Sequence, residues 1–499
     1  MKKILNINNL IICSLLLFSA GCKKTLDVNE SPNNPSIDAA TAETLFPSAV
    51  MSTAGRVGGD LSIIGGLWAQ YYTQNNNSSQ FRNLDIYNLT ATSTFVNGPY
   101  TELYSGALFD YQLGITKSVE KQDWRYNLMN TVMKAYTYEV LVDLFDKVPY
   151  SEAFQATTIL QPKFDDGYTI YTSLIKEIDA ALAKDYKSSE FSADQVKTDF
   201  VFGGSDSFTE EMENWEKFAN TLKLKMYLRM VNAKPAEAEA GIRALYSANA
   251  EFLDVDAAVS NFVDVPNRSN PFYEYNFRRL NTPDNLKASV TFTSWLNKNA
   301  DPRAVAYFGV ANPVPSINQG DYLGASAHPE YNKAVNIVVN ATDPVNFISR
   351  AESYFMQAEA LERYYGGAGA AAMYDDGVAA AFAQVGITPS ATILTTYAYP
   401  TTGSFETKLE AIIMQKWASL VGSHGLEAFF EQNRTGYPKI SPVYSTDPTY
   451  IPGQIVFAPN AITGAGNFPR RFVFPNDERS RNSNTPAELP IYTKVWWGK

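Results

Sequence analysis

The stretch AESYFMQAEALERYYGGAGAAAMYDDGVAAAFAQV, residues 351–385, decides the fold of this chain. Its first half repeats apolar residues at the three- and four-residue spacing of one helix face: Ala351, Tyr354, Phe355, Ala358 and Leu361. Gly366-Gly367-Ala368-Gly369 then supplies a turn. The second half returns with a matching set: Tyr374, Val378, Phe382 and Val385. The pattern predicts an antiparallel helical hairpin, with alanines allowing the two backbones to approach closely.

Other segments share this helical period. Apolar residues line one face within 123–145, in a segment that starts near Asp165 or Asp166, within 215–230 and within 405–420. In the third of these, Lys223, Lys225 and Arg229 fall mostly off the apolar side. Short helix pairs at such intervals suggest tetratricopeptide-like packing, although no 34-residue repeat is found. We therefore predict a mainly α fold, with tetratricopeptide-like helical hairpins forming a scaffold, long ordered loops and minor β elements.

Long polar stretches rich in aromatic residues separate the helices. They comprise residues 71–100, 255–294, 310–346 and 437–490. Loops of this length in a compact protein are usually functional or disordered, and their aromatic content argues against disorder. We expect them to be ordered.

The first residues have the pattern of a bacterial lipoprotein signal. Lys2-Lys3 precede the apolar run 10–18, and Ser19-Ala20-Gly21 lead into Cys22. The run is shorter than the ~20 residues that a membrane-spanning helix requires. We therefore predict a signal peptide over 1–21 and a lipid on Cys22; the alternative is an ordinary secretory signal with an incidental cysteine.

Residues 22–36 contain two prolines and several turn-forming residues, so we predict a lipidated tether there. Residues 37–499 are then expected to form a single globular domain. Cys13 leaves with the signal, and no cysteine follows Cys22, so neither a disulfide nor a thiolate metal site is available. The formal net charge of −11 argues against nucleic acid as a partner.

Nine segments in chain order carry a family resemblance. They are DVN at 27–29 with PNNP at 32–35, DKVPYSEA at 146–153, WEKFANTLKLK at 215–225, DPR at 301–303, QAEA at 357–360, QKW at 415–417, RTGYP at 434–438, RR at 470–471 with FP at 474–475, and VWW at 495–497. With these motifs the chain resembles the SusD/RagB-type outer-membrane lipoproteins of Bacteroidetes. It departs from the family pattern at 146–147, where a Gly is common, and at Asn433, where a basic residue is usual.

The resemblance implies a function and partners. A SusD-like protein would be lipid-anchored in the outer membrane through Cys22, facing the cell exterior. It would bind an oligosaccharide nutrient on loops that project from the helical scaffold. It would then act as the lid of a partner SusC-like TonB-dependent transporter. Some relatives bind peptides, which leaves a peptide ligand as an alternative.

Several motif residues are better explained by architecture than by chemistry. Arg303 and Arg434 lie beside Pro or Gly turns, where a guanidinium can donate up to five hydrogen bonds. Trp417 lies on a helix stripe and is expected in the core. The terminal Trp496-Trp497 is expected to pack against the body of the protein rather than bind sugar.

Catalytic motifs are sparse. The chain has two histidines, His328 and His424, with no H-E-x-x-H and no G-x-S-x-G. The adjacent Ser423 and His424 suggest a turn, because catalytic triad partners meet through the fold. A surface glycoside hydrolase stays an alternative, since the spacing of a carboxylate pair is invisible in sequence. Asp254 and Asp256 lack the dense oxygen spacing of a calcium loop. We predict a binding protein with no enzyme activity, metal or cofactor.

Two loop clusters mix aromatic rings with hydrogen-bonding side chains, as a glycan site requires. The residues predicted to bind ligand are Trp68, Tyr72, Asn75, Phe81, Arg82, Tyr273 and Tyr275. The competing interpretation of each aromatic is that it packs its own loop onto the helices.

Overall fold

The structure, a computed structural model, describes residues 39–90, 92–155, 158–188, 195, 197–203, 208–321, 327–422 and 424–499. The predicted signal peptide, Cys22, the tether and Ser423 lie outside the described residues.

Helices make up most of the architecture. They are α1 (Ala42–Val57), α2 (Asp60–Trp68), α3 (Arg82–Asp85), α4 (Asn97–Glu102), α5 (Phe109–Lys121), α6 (Trp124–Phe145), α7 (Gly167–Leu182), α8 (Phe208–Met230), α9 (Pro235–Ser247), α10 (Pro271–Tyr273), α11 (Val290–Lys298), α12 (Arg303–Phe308), α13 (Arg350–Tyr364), α14 (Ala370–Ala383), α15 (Ala391–Thr396), α16 (Phe405–Ser419), α17 (Gly425–Thr435) and α18 (Asn476–Arg481). Two π-helical segments, Leu103–Leu108 and Glu274–Arg278, and a 3₁₀ segment, Pro329–Lys333, join them.

The β content is minor, as predicted. The strands are β1 (Tyr72–Gln74), β2 (Lys147–Pro149), β3 (Phe164–Asp166), β4 (Ala257–Val259), β5 (Leu286–Ala288) and β6 (Val345–Ile348). They form three antiparallel pairs, β1 with β5, β2 with β3, and β4 with β6. Strand β1 aligns Tyr72 with Ala288, so it ties the first long loop to the third quarter of the chain.

The predicted helical hairpin is confirmed as α13 and α14, which pack against each other. Gly366, Gly367 and Gly369 have positive φ angles in the connecting turn. The close approach also depends on Gly377, where an added Cβ would lie 2.7 Å from the ring of Phe355.

Helix α6 lies at the centre of the helical scaffold and contacts α1, α5, α7 and α8. The sequence predicted a single apolar stripe along this helix. In the structure nearly every residue from Arg125 to Phe145 is buried, because neighbours cover all sides of the helix. Asp123 caps its first turn by accepting a hydrogen bond from the Tyr126 N–H.

A buried ion network joins α6, α8, α13, α16 and α17. Arg229 of α8 is 1% exposed and pairs with Asp143 of α6 (2.9 Å) and Glu427 of α17 (2.6 Å). Lys225, one turn earlier, pairs with Glu139 (3.3 Å) and Glu427 (3.0 Å). The prediction that Lys225 and Arg229 lie off the buried side was therefore wrong, because acidic residues on neighbouring helices compensate both charges inside the protein.

The predicted architectural roles are confirmed. Arg434 pairs with Glu359 and Glu431, each at 2.6 Å, and Arg303 pairs with Asp301 at 2.7 Å in a fully buried site. Trp497 is fully buried, and its indole N–H donates to Asp143.

Candidate functional site

A cleft of about 610 Å³ lies along one face of α1, and we call it the Arg56 cleft. Helix α1 contributes Ser48, Met51, Ser52, Gly55 and Arg56, whose spacing of three and four residues places them on one side of the helix. The remaining walls come from the start of α2, from Glu102, from Phe200, from the loop 261–271 and from the turn 274–279.

Two consecutive glycines place the charged pair at the base of the cleft. A Cβ on Gly58 would lie 2.4 Å from the Val345 side chain, and a Cβ on Gly59 would lie 2.5 Å from the carbonyl of Gly55. Glycine at both positions avoids these clashes, and α2 can therefore begin directly after α1. The Arg56 guanidinium then donates to Asp60 at 2.9 Å.

The opposite wall is set by a capped turn. The Asn270 side chain accepts hydrogen bonds from the backbone N–H groups of Phe272 (2.9 Å) and Tyr273 (3.1 Å). The chain continues as the π-helical segment Glu274–Arg278, which brings Tyr275 to the cleft. Phe81 stacks behind the Tyr275 ring, with centroids 6.3 Å apart and planes 28° apart.

The electrostatics of the cleft are mixed. Asp60 is buried, and burial raises its pKa to about 6 although Arg56 opposes the shift. Its two oxygens accept from Arg56 and from the Leu61 N–H (3.1 Å), so both are occupied. Glu102 accepts from the Ser52 hydroxyl at 3.1 Å. The exposed Arg268 and Arg279 stand at the rim of the cleft.

Three of the predicted ligand residues lie in the core. Trp68 is 6% exposed and packs between Phe429 (4.9 Å) and Phe472 (5.5 Å). Tyr72 is fully buried and donates to the Ser62 carbonyl at 3.1 Å. Phe81 is 2% exposed. None of these rings offers a face to a sugar in this structure, because Trp68 of α2 packs against Phe429 of α17, while Tyr72 and Phe81 are buried where the first long loop packs onto the protein.

Of the other four predicted residues, two stabilise loops, one packs away from the cleft and one lines it. Asn75 donates to the Asp284 carbonyl at 2.7 Å, and Arg82 donates to the Ser78 carbonyl at 2.9 Å, so both stabilise loops. Tyr273 stacks on Phe277 at 5.4 Å, away from the residues that line the cleft. Of the seven, the structure brings only Tyr275 into the lining of the Arg56 cleft.

The burial of Trp68 and Tyr72 leads to a first prediction, about stability. Each Trp68→Ala or Tyr72→Ala substitution should lower the free energy of unfolding by about 3–5 kcal/mol, the range for removing a large core aromatic. Urea unfolding followed by circular dichroism would measure it. An unchanged midpoint would contradict the packing described for these rings.

Sequence reasoning missed Arg56, Asp60 and Glu102. Their pattern is an ordinary helical one, and only the Gly58-Gly59 break between two apolar segments could have drawn attention to them.

The residues considered for calcium form other interactions: Asp254 pairs with Lys217 at 3.0 Å, and Asp256 accepts a hydrogen bond from the Arg350 N–H at 2.7 Å. Burial lowers the pKa of His424, which bonds to the Phe347 carbonyl.

Comparison with known proteins agrees with this architecture. A family model described as "Starch-binding associating with outer membrane", SusD-like, matches residues 32–457. None of the curated proteins compared matches the chain. Within the described residues, no helix is both long enough and apolar enough to cross a membrane.

Solved structures share the fold. A SusD homologue from Bacteroides uniformis superimposes with a TM-score of 0.74 at 21% identity, covering 92% of this chain and 98% of the homologue. A chitin-binding SusD homologue from Flavobacterium johnsoniae gives 0.74 at 23% identity, with coverage of 91% and 98%. A SusD-like protein from Bacteroides thetaiotaomicron gives 0.70 at 19% identity, with coverage of 92% and 98%. At these identities the similarity establishes the fold.

Proposed function

The chain belongs to the SusD-like family, and on that premise we propose that it binds an oligosaccharide nutrient at the cell surface and delivers it to a TonB-dependent outer-membrane transporter. Proteins of this family are binding proteins associated with the outer membrane. Beyond this family property, we propose a ligand site, a transporter partner and a lid role for this chain.

The Arg56 cleft carries the proposal. A volume of about 610 Å³ lies within the range of small-molecule sites. Its lining combines Met51 and the half-buried Tyr275, which can contact the C–H face of a sugar ring, with charged and amide side chains that can bond to hydroxyls. Phe81 stacked behind Tyr275 restricts the ring, so less side-chain entropy is lost when ligand binds.

The relatives favour a glycan over a peptide. One solved homologue is a chitin-binding protein, and the family description names starch. Asp60 and Glu102 are two carboxylates in the cleft, so the hydrolase alternative can be tested there. In this structure Asp60 accepts a hydrogen bond from Arg56, and Glu102 accepts one from Ser52.

The transporter partner follows from the family and from the predicted anchor. A tethered protein that covers the mouth of a barrel would raise the local concentration of its ligand there. Gentle detergent extraction, followed by purification through a C-terminal tag, should recover a TonB-dependent transporter. Recovery of this protein alone, under conditions that preserve other outer-membrane complexes, would remove the lid role and leave a free-standing binding protein.

The second prediction tests the cleft. Tyr275→Ala should weaken binding of the cognate glycan by about 1–2 kcal/mol, because one stacking ring is lost. Tyr275→Phe is the matched control and should retain most of the affinity, since the ring remains. Calorimetry on a panel of starch, chitin and other oligosaccharides would measure both variants.

Each outcome of the panel is informative. Binding of peptides and of no glycan would replace the glycan with the peptide alternative. Release of shorter sugars during incubation, lost in Glu102→Gln, would favour the hydrolase. Equal glycan affinity in the wild type and in Tyr275→Ala would place the ligand outside the Arg56 cleft.

A further inference from the structure

A second cavity, of about 460 Å³, lies where the end of α17 meets the loops that follow it, and we call it the Arg470 pocket. Its polar wall contains Asn433, Gln454 and Arg470, and its apolar wall contains Ile440, Pro442 and Ile451. None of the residues assigned to glycan binding above lines it. Arg470, the first residue of the Arg470-Arg471 motif, and Asn433, which precedes Arg434, therefore meet at a site that the proposed function does not use.

Arg470 is a half-buried cation without an acidic partner among the described residues. One guanidinium N–H donates to the Asn433 amide oxygen at 2.8 Å, and no carboxylate pairs with the group. Burial lowers the pKa of Arg470, with no acidic neighbour to oppose the shift. The adjacent Arg471 differs, because it lies 3.8 Å from Asp146 and donates to the Phe145 carbonyl. A desolvated guanidinium of this kind is stabilised when an anion is supplied.

Asn433 provides an independent sign of a ligand. The residue is 1% exposed, and its amide oxygen is fixed toward Arg470, which orients the amide nitrogen. That nitrogen has no hydrogen-bond partner in the structure. A buried N–H donor left unbonded is unfavourable, so a ligand acceptor would be favoured at this position.

The other polar groups that line the pocket indicate which further chemical groups a ligand would present. The buried amide oxygen of Gln454 also lacks a partner, so it can accept from a hydroxyl. Lys499 is exposed at the rim and its ammonium donates to the Thr435 carbonyl at 3.1 Å, while the Lys439 ammonium pairs with Glu410 at 2.8 Å. No acidic side chain of the described residues lines the pocket. Ile440 and Ile451, 40% and 53% exposed, present an apolar surface beside these groups.

We propose that the Arg470 pocket binds an acidic sugar unit, whose anionic group accepts from the Arg470 guanidinium and the Asn433 amide N–H while a hydroxyl donates to Gln454. Charge-assisted bonds to a guanidinium are roughly twice as strong as neutral ones, so the anionic group supplies the selectivity. The apolar wall contacts the C–H face of the ring. Either a carboxylate or a sulfate ester presents the required oxygens.

The probes are glucuronate, glucose 6-sulfate and glucose, titrated into the full chain at low salt and followed by ligand-observed NMR. Glucuronate, glucose 6-sulfate or both should bind, while glucose should bind at least tenfold more weakly. Binding of one acid alone identifies the anionic group as carboxylate or sulfate. The affinity should fall as salt is raised, because the interaction is between charges.

Two sets of variants locate the binding. Arg470→Gln should reduce the affinity for the acid at least tenfold. Ile451→Glu and Ile451→Gln lose the same apolar contact, but only Ile451→Glu adds a negative charge, so its affinity for the acid should be at least threefold lower than that of Ile451→Gln. The Ile451 pair decides the question if Arg470→Gln proves unstable.

Three results would overturn the proposal. They are equal affinity for glucose and the acids, no binding of any probe, and acid binding that is the same in the wild type and in Ile451→Glu. The outcome is independent of the Arg56 cleft, since neutral glycans could still bind there when the Arg470 pocket takes no acid.

Discussion

Arg229→Met is expected to lower the free energy of unfolding by about 3–5 kcal/mol or more, the range for removing one partner of a buried ion pair. A domain's whole stability is only about 5–15 kcal/mol, so little folded protein should remain at 37 °C if this chain lies near the lower end. Arg229 connects three helices, since its guanidinium bonds to Asp143 on α6 and to Glu427 and Glu431 on α17.

The effect is large because the acidic residues would remain buried. Burial alone would raise the pKa of Glu427, but Arg229, Lys225 and Lys416 outweigh it and hold that pKa well below its usual range. Burial already raises the pKa of Glu139 to about 8, despite Lys225 and Arg229 nearby. With Arg229 gone, Asp143 and Glu427 would lose their closest cation, and their pKa values should rise.

Two measurements separate this mechanism from simple loss of packing. The stability deficit of Arg229→Met should shrink as the pH falls toward 5, because carboxyls with raised pKa values become protonated and neutral in the folded state. A packing defect would not depend on pH. Arg243→Met is the matched control: Arg243 forms an exposed pair with Glu239 on α9, and its loss should leave the unfolding midpoint unchanged.

Hydrophobic periodicity was sufficient to predict the scaffold. The α13–α14 hairpin, its glycine turn and the extents of α6 and α16 followed from local spacing, because each helix buries a recognisable apolar stripe, whereas α8 begins at Phe208 and not near Trp215 as its stripe predicted. The burial of the charged residues could not be predicted from this spacing. Residues 229 and 427 are far apart in the sequence, and a single sequence gives no sign that they meet, so the pattern places Arg229 mostly off the apolar side of its helix.

The candidate site was only partly predictable for a related reason. Aromatic residues in long loops serve both as ligand platforms and as packing for the loop, and composition does not distinguish the two. Trp68 and Tyr72 proved to be core residues, while Tyr275, from the second cluster, lines the cleft. Arg56 and Asp60 were missed because an i,i+4 ion pair across a helix junction resembles ordinary surface pairing.

Cys22→Ser is expected to release the protein from the outer membrane almost completely. The sequence places this cysteine directly after a short apolar signal and before a tether, and no later cysteine could carry a lipid. Burial of an acyl chain contributes roughly 0.8 kcal/mol per CH₂, so several acyl chains on Cys22 would hold the protein firmly in the membrane, and their loss would remove that contribution.

The measurement is the distribution of protein between membrane and soluble fractions, together with incorporation of labelled fatty acid. Cys13→Ser is the matched control, because that residue lies within the predicted signal and should leave both readouts unchanged. The soluble Cys22→Ser protein should retain the glycan affinity of the wild type, since the residues that line the Arg56 cleft are unchanged. Label persisting on Cys22→Ser would contradict the predicted anchor, and membrane association without label would indicate that the protein is held through its partner instead of through lipid.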